Sequence, residues 1–232
     1  MIVYDGIKTD FLKSVEDDTI AVEIEENIYQ KMRRHTAANE FRSWENSLEY
    51  MYKVLNDNEI PADAGIAIEY NIPQTSKRVD FLISGYNKQE IGNVVIIELK
   101  QWDHLESVEG MDALVKTYTG NSLRNVVHPS YQAWSYAMMI RDYNQSVQMS
   151  NIFLHPCSYL HNYRRIGKDA FDAAQYQDYR EEAPAFSRGQ VKKLRQFIKK
   201  DIVTGDNKKL IYDIDQGKIK PSKSLQNSIA NM

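Results

Sequence analysis

The stretch Arg78-Val79-Asp80-Phe81-Leu82-Ile83-Ser84-Gly85-Tyr86, followed after a polar break by Asn93-Val94-Val95-Ile96-Ile97-Glu98-Leu99-Lys100, decides how the rest of the chain reads. Each half is an apolar run of the length of a buried strand, and Asn87, Lys88, Gln89 and Gly92 mark the break between them. A charge inside a buried strand costs several kcal/mol unless it is paired or bound to a metal, so Asp80, Glu98 and Lys100 ask for an explanation. Side chains on a strand alternate faces, so Glu98 and Lys100 project together while Leu99 points the other way. Asp80, on the neighbouring strand, reaches the same spot. Two carboxylates and an ammonium at a sheet edge have the make-up of a divalent-metal hydrolysis site.

Upstream, Gly65 to Ile72 reads as a strand closed by Pro73, and Gln74-Thr75-Ser76-Lys77 turns it into the Asp80 strand as an antiparallel hairpin. A turn centred on Gln74-Thr75 sets Glu69 directly opposite Asp80. Bare, the two carboxylates repel, which points to a metal or a lysine nearby; the alternative is that Glu69 pairs with Lys77 or Arg78 at a solvated edge. Before the hairpin, Ser43 starts a helix whose stripe is Trp44, Leu48, Met51 and Leu55 and which stops at Asn56-Asp57-Asn58. Glu45 and Glu49 flank that stripe. Downstream, Gln101 to Glu106 leads into a loop-rich region with Gly110, Gly120 and Asn121. Pro129 then opens a helix over 129–142, with Gln132 and Tyr136 on one face. A further apolar strand, 152–160, carries Pro156 and so reads as an edge or a bulge.

The flanks are plainer. Phe11, Val15, Ile20, Ile24 and Ile28 suit amphipathic helices in a helical extension over 1–39, with solvated acidic faces at Glu16-Asp17-Asp18 and at Glu23, Glu25 and Glu26. A basic helix over 189–200, capped by Ser187, keeps Val191, Leu194 and Ile198 for the core. It turns Lys192, Lys193, Arg195, Lys199 and Lys200 outward, where they suit phosphates. Residues 40–162 thus read as a core, 163–216 as a basic helical appendage, and 217–232 as a linker or tail. The net charge of −3 argues against a generally basic nucleic-acid wrapper but leaves room for an acidic metal site with basic patches elsewhere. Cys157 is the single cysteine, which excludes an intramolecular disulfide and a cysteine-rich zinc site. His155, Cys157 and His161 lack a fourth ligand for zinc. The N-terminus lacks the regions of a signal peptide and no apolar run approaches the roughly 18 residues of a membrane span, so no membrane partner and a cytoplasmic location are expected.

An aspartate on one strand and Glu-x-Lys on the next, with a helix before and another after, resembles the PD-(D/E)xK nuclease superfamily. Gln132-x-x-x-Tyr136 is similar to the extra motif of its RecB-type branch. The resemblance covers about residues 40 to 162, with Val79 standing where the superfamily often has proline. It implies an α/β, restriction-endonuclease-like core, a central mixed β-sheet flanked by helices in the order αβββαβ. It also implies Mg²⁺ or Mn²⁺ held by Asp80, Glu98 and the Leu99 carbonyl, with Lys100 as the catalytic lysine. Glu69 or Glu45 completes the acids, and Gln132 and Tyr136 support the site or position substrate. The wider chain, including Tyr159-Leu160-His161-Asn162-Tyr163, resembles the nuclease region of bacterial nuclease–helicase fusions whose motor is related to Schlafen-like helicases. No Walker A loop occurs here, so an ATP-dependent helicase would be a linked partner. The implied substrate is DNA in preference to RNA, in phage defence or DNA processing. A different class of function, a catalytically silent nucleic-acid-binding or docking module, needs the same fold with the acids in purely structural roles.

Overall fold

The computed structural model describes residues 1–120, 122–167 and 169–220. A strand β1 (Ile2–Ile7) opens the chain, and helices α1 (Lys8–Glu16), α2 (Ile20–Met32) and α3 (Ala38–Leu55) follow. Strands β2 (Gly65–Asn71), β3 (Arg78–Tyr86) and β4 (Gly92–Lys100) come next, then a small excursion, β5 (Glu106–Ser107), β6 (Leu114–Thr119) and β7 (Ser122–Val127). Helices α4 (Pro129–Tyr143) and α5 (Gln145–Met149) lead to β8 (Phe153–Leu160); two single-turn 3-10 helices, Ala170–Asp172 and Ala174–Tyr176, follow, and then α6 (Gln177–Glu182), β9 (Ala185–Ser187), α7 (Val191–Asp201) and α8 (Lys209–Asp215).

The molecule is an α/β protein with a mixed central sheet of strand order β1-β2-β3-β4-β8-β9. The first four strands pair antiparallel; β8 and β9 pair parallel. Val95 and Ile97 of β4 join the core under α1, α2, α3 and α7, while Val94 and Ile96 join the core under α4, α5 and α8. A strand covered on both faces reads as an unbroken apolar run, which is why β4 is the clearest strand in the sequence. The helix α3 contributes Trp44, Leu48, Met51, Val54 and Leu55 to the first core, each fully buried apolar side chain contributing about 1.5–3 kcal/mol.

Five expectations need correction. Residues 1–39 are not wholly helical: β1 is an edge strand whose Tyr4 pairs with Ile68 of β2. Its Ile2-Val3-Tyr4 run was masked in the sequence by Asp5 and Gly6. The helix expected from Ser43 begins at Ala38, because Ser43 does not cap it; the Ser43 hydroxyl accepts a bond from Gln101 instead. The region read as loops holds the antiparallel sheet β5-β6-β7. Its β-branched Val115, Thr117 and Val126 were the available signal, and Val115 and Thr117 are buried. The segment 163–216 is built into the sheet and its covers. The strand β9 extends the main sheet, and α7 and α8 cover opposite faces. The helix α7 starts at Val191 after Gln190, and Ser187 belongs to β9.

Residues 217–220 also lie against the body, with Gln145 N–H donating to Lys218 O at 2.9 Å and Lys220 N–H to Tyr143 O at 2.8 Å. The rest of the expected tail, 221–232, lies outside the described residues. No helix among the described residues is long and apolar enough to cross a membrane.

Candidate active site

The β2–β3 hairpin has the register expected of a turn at Gln74-Thr75. Ile68 faces Phe81 and Tyr70 faces Val79, so Glu69 and Asp80 stand across from each other. At that level both strands change faces. Ile68 and Phe81 belong to one core, whereas Tyr70 and Val79, two residues away, belong to the opposite one. On β2 the change falls at Glu69, whose φ of 59° is in the left-handed region and re-aims the strand as a bulge does. Such a conformation in a non-glycine residue costs about 1–3 kcal/mol and is found where surrounding contacts hold it.

The β3–β4 ladder ends at Phe81–Ile97, and side-chain chemistry takes over beyond it. The Leu99 N–H donates to Asp80 Oδ2 at 2.8 Å. A strand residue turns its N–H and C=O to the same edge, so the Leu99 carbonyl also faces the Asp80 strand. Glu98 is buried. Its Oε1 accepts from Lys100 Nζ at 2.6 Å and from Gln132 Nε2 at 2.5 Å, while its buried Oε2 has no hydrogen-bond partner. Gln132 Nε2 also donates to the Tyr136 hydroxyl at 3.1 Å. Asp80, Glu98, Leu99, Lys100, Gln132 and Tyr136 are therefore one cluster at the C-terminal end of β4.

The electrostatics follow from burial. Desolvation and then the Asp80 charge push the Glu98 carboxyl well above the usual range, and Lys100 offsets only part of this. Burial would lower the Lys100 ammonium, but Glu98 and Asp80 outweigh it and hold its proton firmly. Burial followed by the Glu98 charge raises the Tyr136 phenol.

Glu69 goes elsewhere. It is buried, accepts from Trp44 Nε1 at 2.9 Å and pairs with Arg78, whose Nη1 also meets Glu40 Oε1 at 2.8 Å. The Arg78 pairing is thus realised, though in the interior and not at a solvated edge. Burial pushes Glu69 up to about 7 against the pull of Arg78, with Asp80 adding to the rise. Glu45 is exposed and absent from the cleft. The α3 acid that lines it is Glu40, one turn upstream of Trp44 and outside the helix as read from the sequence. Lys192 and Lys193 are exposed on α7 and line neither cleft beside Lys100.

A polar layer behind Lys100 escaped the sequence reading altogether. Gln101 Nε2 donates to Ser43 Oγ at 2.7 Å and Ser47 Oγ at 3.2 Å, and Ser47 meets His161 Nε2 at 3.1 Å. Asn162 donates through Nδ2 to Gln101 O, so its Oδ1 is left to accept from His161 Nδ1, at 3.2 Å. The neutral ring therefore carries its proton on Nδ1 and accepts from Ser47 at Nε2. His161 stacks on Tyr50 with centroids 4.3 Å apart, and its backbone N–H holds Lys100 O at 3.1 Å. This layer clamps the end of β4.

Lys100 lies between two clefts. One, of about 150 Å³, runs under α3 past Glu40, Trp44, Glu69, Arg78 and Asp80. The other, of about 420 Å³, runs between α4 and β7, past Trp102, Tyr131, Gln132 and Tyr136. Among the described residues no three His, Cys, Asp or Glu side chains gather as a metal set, so His155, Cys157 and His161 form no zinc site. The pair Asp80 and Glu98 with the Leu99 carbonyl is an all-oxygen donor set, and the unpartnered buried Glu98 Oε2 leaves a position for a hard cation. No family model, curated protein or solved structure matches the chain.

Proposed function

We propose that this chain is a divalent-metal-dependent nuclease of the PD-(D/E)xK type, with a restriction-endonuclease-like core and DNA in preference to RNA as substrate. One observation carries the reading. Asp80, Glu98 and Lys100 meet at the end of a buried strand between two clefts, with the Asp80 carboxyl beside Glu98 and no hydrogen-bond donor on the buried Glu98 Oε2. Asp80, Glu98 and the Leu99 carbonyl would hold Mg²⁺ or Mn²⁺. Such an ion supplies a bound water of lowered pKa and positive charge beside the scissile phosphate.

The chain's own groups do the rest. Lys100, protonated and 2.6 Å from Glu98, donates to the attacking water or to a non-bridging phosphate oxygen as charge develops there. Gln132 fixes the Glu98 carboxylate in one orientation, and Tyr136 fixes Gln132, as supporting groups of a metal ligand do. Glu69 and Arg78 set the bend that aims Asp80. Lys192 and Lys193, which line neither cleft, would meet only the phosphates of a strand that runs on past the site, and a cytoplasmic setting beside a linked ATP-dependent helicase, in phage defence or DNA processing, fits the motif resemblance.

The test is cleavage of plasmid, single-stranded DNA and RNA in Mg²⁺, Mn²⁺ and EDTA, with Asp80→Ala as control. Cleavage that requires metal and Asp80 is expected. Undiminished cleavage by Asp80→Ala would sink the assignment. In the competing reading, a silent binding module, Glu98 and Lys100 serve only as a buried ion pair, and nucleic acid is bound in chelator and never cut.

A further inference from the structure

Lys100 pairs with Leu160 across β4 and β8, and Leu160 pairs with Ser187 across β8 and β9. Strands lie about 4.8 Å apart, so Ser187 is roughly 10 Å from Lys100 along the same end of the sheet. Directly beyond Ser187 is a cavity of about 560 Å³ lined by Arg164, Arg165, Ser187, Arg188, Gly189 and Gln190, with no carboxylate in its wall.

Two turns build this cavity, the one after β8 and the one after β9. They are tied together by Arg188 N–H to Tyr163 O at 2.9 Å and by Arg165 Nη2 to Ala185 O at 3.1 Å. Arg165 is committed to the fold through Asp172 at 2.9 Å and the Phe171 ring at 4.8 Å. Arg164 and Arg188 are exposed, and among the described residues neither is paired with a carboxylate. The first turn of α7 adds Lys192 and Lys193 and carries no acid. Cations there oppose the helix dipole at about 0.3–1 kcal/mol each, an arrangement that an anion relieves.

We infer that the Arg164–Arg188 cavity binds the phosphodiester backbone of the nucleic-acid strand whose scissile phosphate sits at Lys100. This rests on the nuclease reading for the position of that phosphate, and assigns the grip on the strand to the two turns. Roughly 10 Å is about three nucleotide steps at a 3.4 Å rise, so a strand must run at least that far past the cut to reach the cavity. The two arginines hold the strand and set its direction; they take no part in chemistry at Lys100.

The experiment compares the wild-type chain with Arg164→Ala/Arg188→Ala, whose equal melting temperature checks the fold. Fluorescence anisotropy with a labelled DNA oligonucleotide in EDTA reads binding. The double variant is expected to bind about tenfold or more weakly and to lose about two units from the slope of log K against log salt, one per lost phosphate contact. Metal-dependent hydrolysis of a dinucleotide, too short to reach the cavity, is expected to stay at the wild-type rate. Unchanged DNA affinity and salt slope would overturn the cavity assignment while leaving the nuclease reading intact. Weakened binding with no cleavage by either protein in any metal would overturn the nuclease reading and leave a backbone-binding cavity. Inorganic phosphate binding as tightly as the oligonucleotide would show a small-anion site and overturn the backbone assignment.

Discussion

Acidification should loosen this fold through His161. The ring is buried, stacked on Tyr50 and hydrogen-bonded as the neutral form, and burial lowers its pKa to about 4. In the unfolded chain it titrates near 6.5. A folded pKa below the unfolded one means that the unfolded state binds the proton first. The stabilisation is complete above pH 6.5 and is lost as pH falls toward 4. At about 1.36 kcal/mol per pKa unit the loss tends to about 3 kcal/mol, with about 2 kcal/mol already gone by pH 5. Urea unfolding followed by tryptophan fluorescence at about pH 7.5 and about pH 5 gives the wild-type change. The same pair of measurements on His161→Gln, which cannot titrate, removes the contribution of other groups such as His128. The wild type should lose about 2 kcal/mol more than the variant between the two pH values. Equal losses would refute the buried neutral histidine and the clamp built on it.

The other expectations concern the same neighbourhood. Arg78→Ala strands the buried Glu69 and should cost about 3–5 kcal/mol near pH 8, read by urea midpoints. Because the Glu69 pKa is already raised to about 7, the penalty should shrink near pH 5, where the carboxyl takes a proton. Gln132→Ala removes the amide that orients Glu98 and should weaken Mn²⁺ binding or cleavage about 10–100-fold with little change in melting temperature. Gly85→Ala would place a Cβ 2.5 Å from Thr204 O and 2.8 Å from Ile202 Cγ2, so it should destabilise by about 1–3 kcal/mol at the junction of β3 with the segment after α7.

The central strands were legible because burial on both faces leaves a short apolar run, rich in Val and Ile and bounded by turn residues, and the charges of Asp80, Glu98 and Lys100 stood out against it. Gln132 and Tyr136 were legible as a pair because four residues along a helix return to one face. The Glu69–Asp80 level was legible from the hairpin turn, but the left-handed Glu69 was not, since nothing in its residue type announces it. Glu40 was missed because Ser43 imitates a helix cap; in the fold that hydroxyl serves Gln101. The Ser47–His161–Asn162 layer joins residues more than 100 positions apart, a relation that periodicity cannot reveal. The basic helix was visible, yet its partners were not. Arg195 reaches Val54 O at 2.9 Å and Lys199 pairs with Glu59, so these two cations stabilise the fold, while Arg164 and Arg188 in the turns remain available.

Whether Asp80 and Glu98 hold a divalent ion is read directly by a Mn²⁺ titration of the folded chain followed by electron paramagnetic resonance. The wild type should remove free Mn²⁺ signal saturably, and Asp80→Asn, with its melting temperature preserved, should not. Identical titrations for the two proteins, or no uptake by the wild type, would contradict the assignment of this cluster as a metal site.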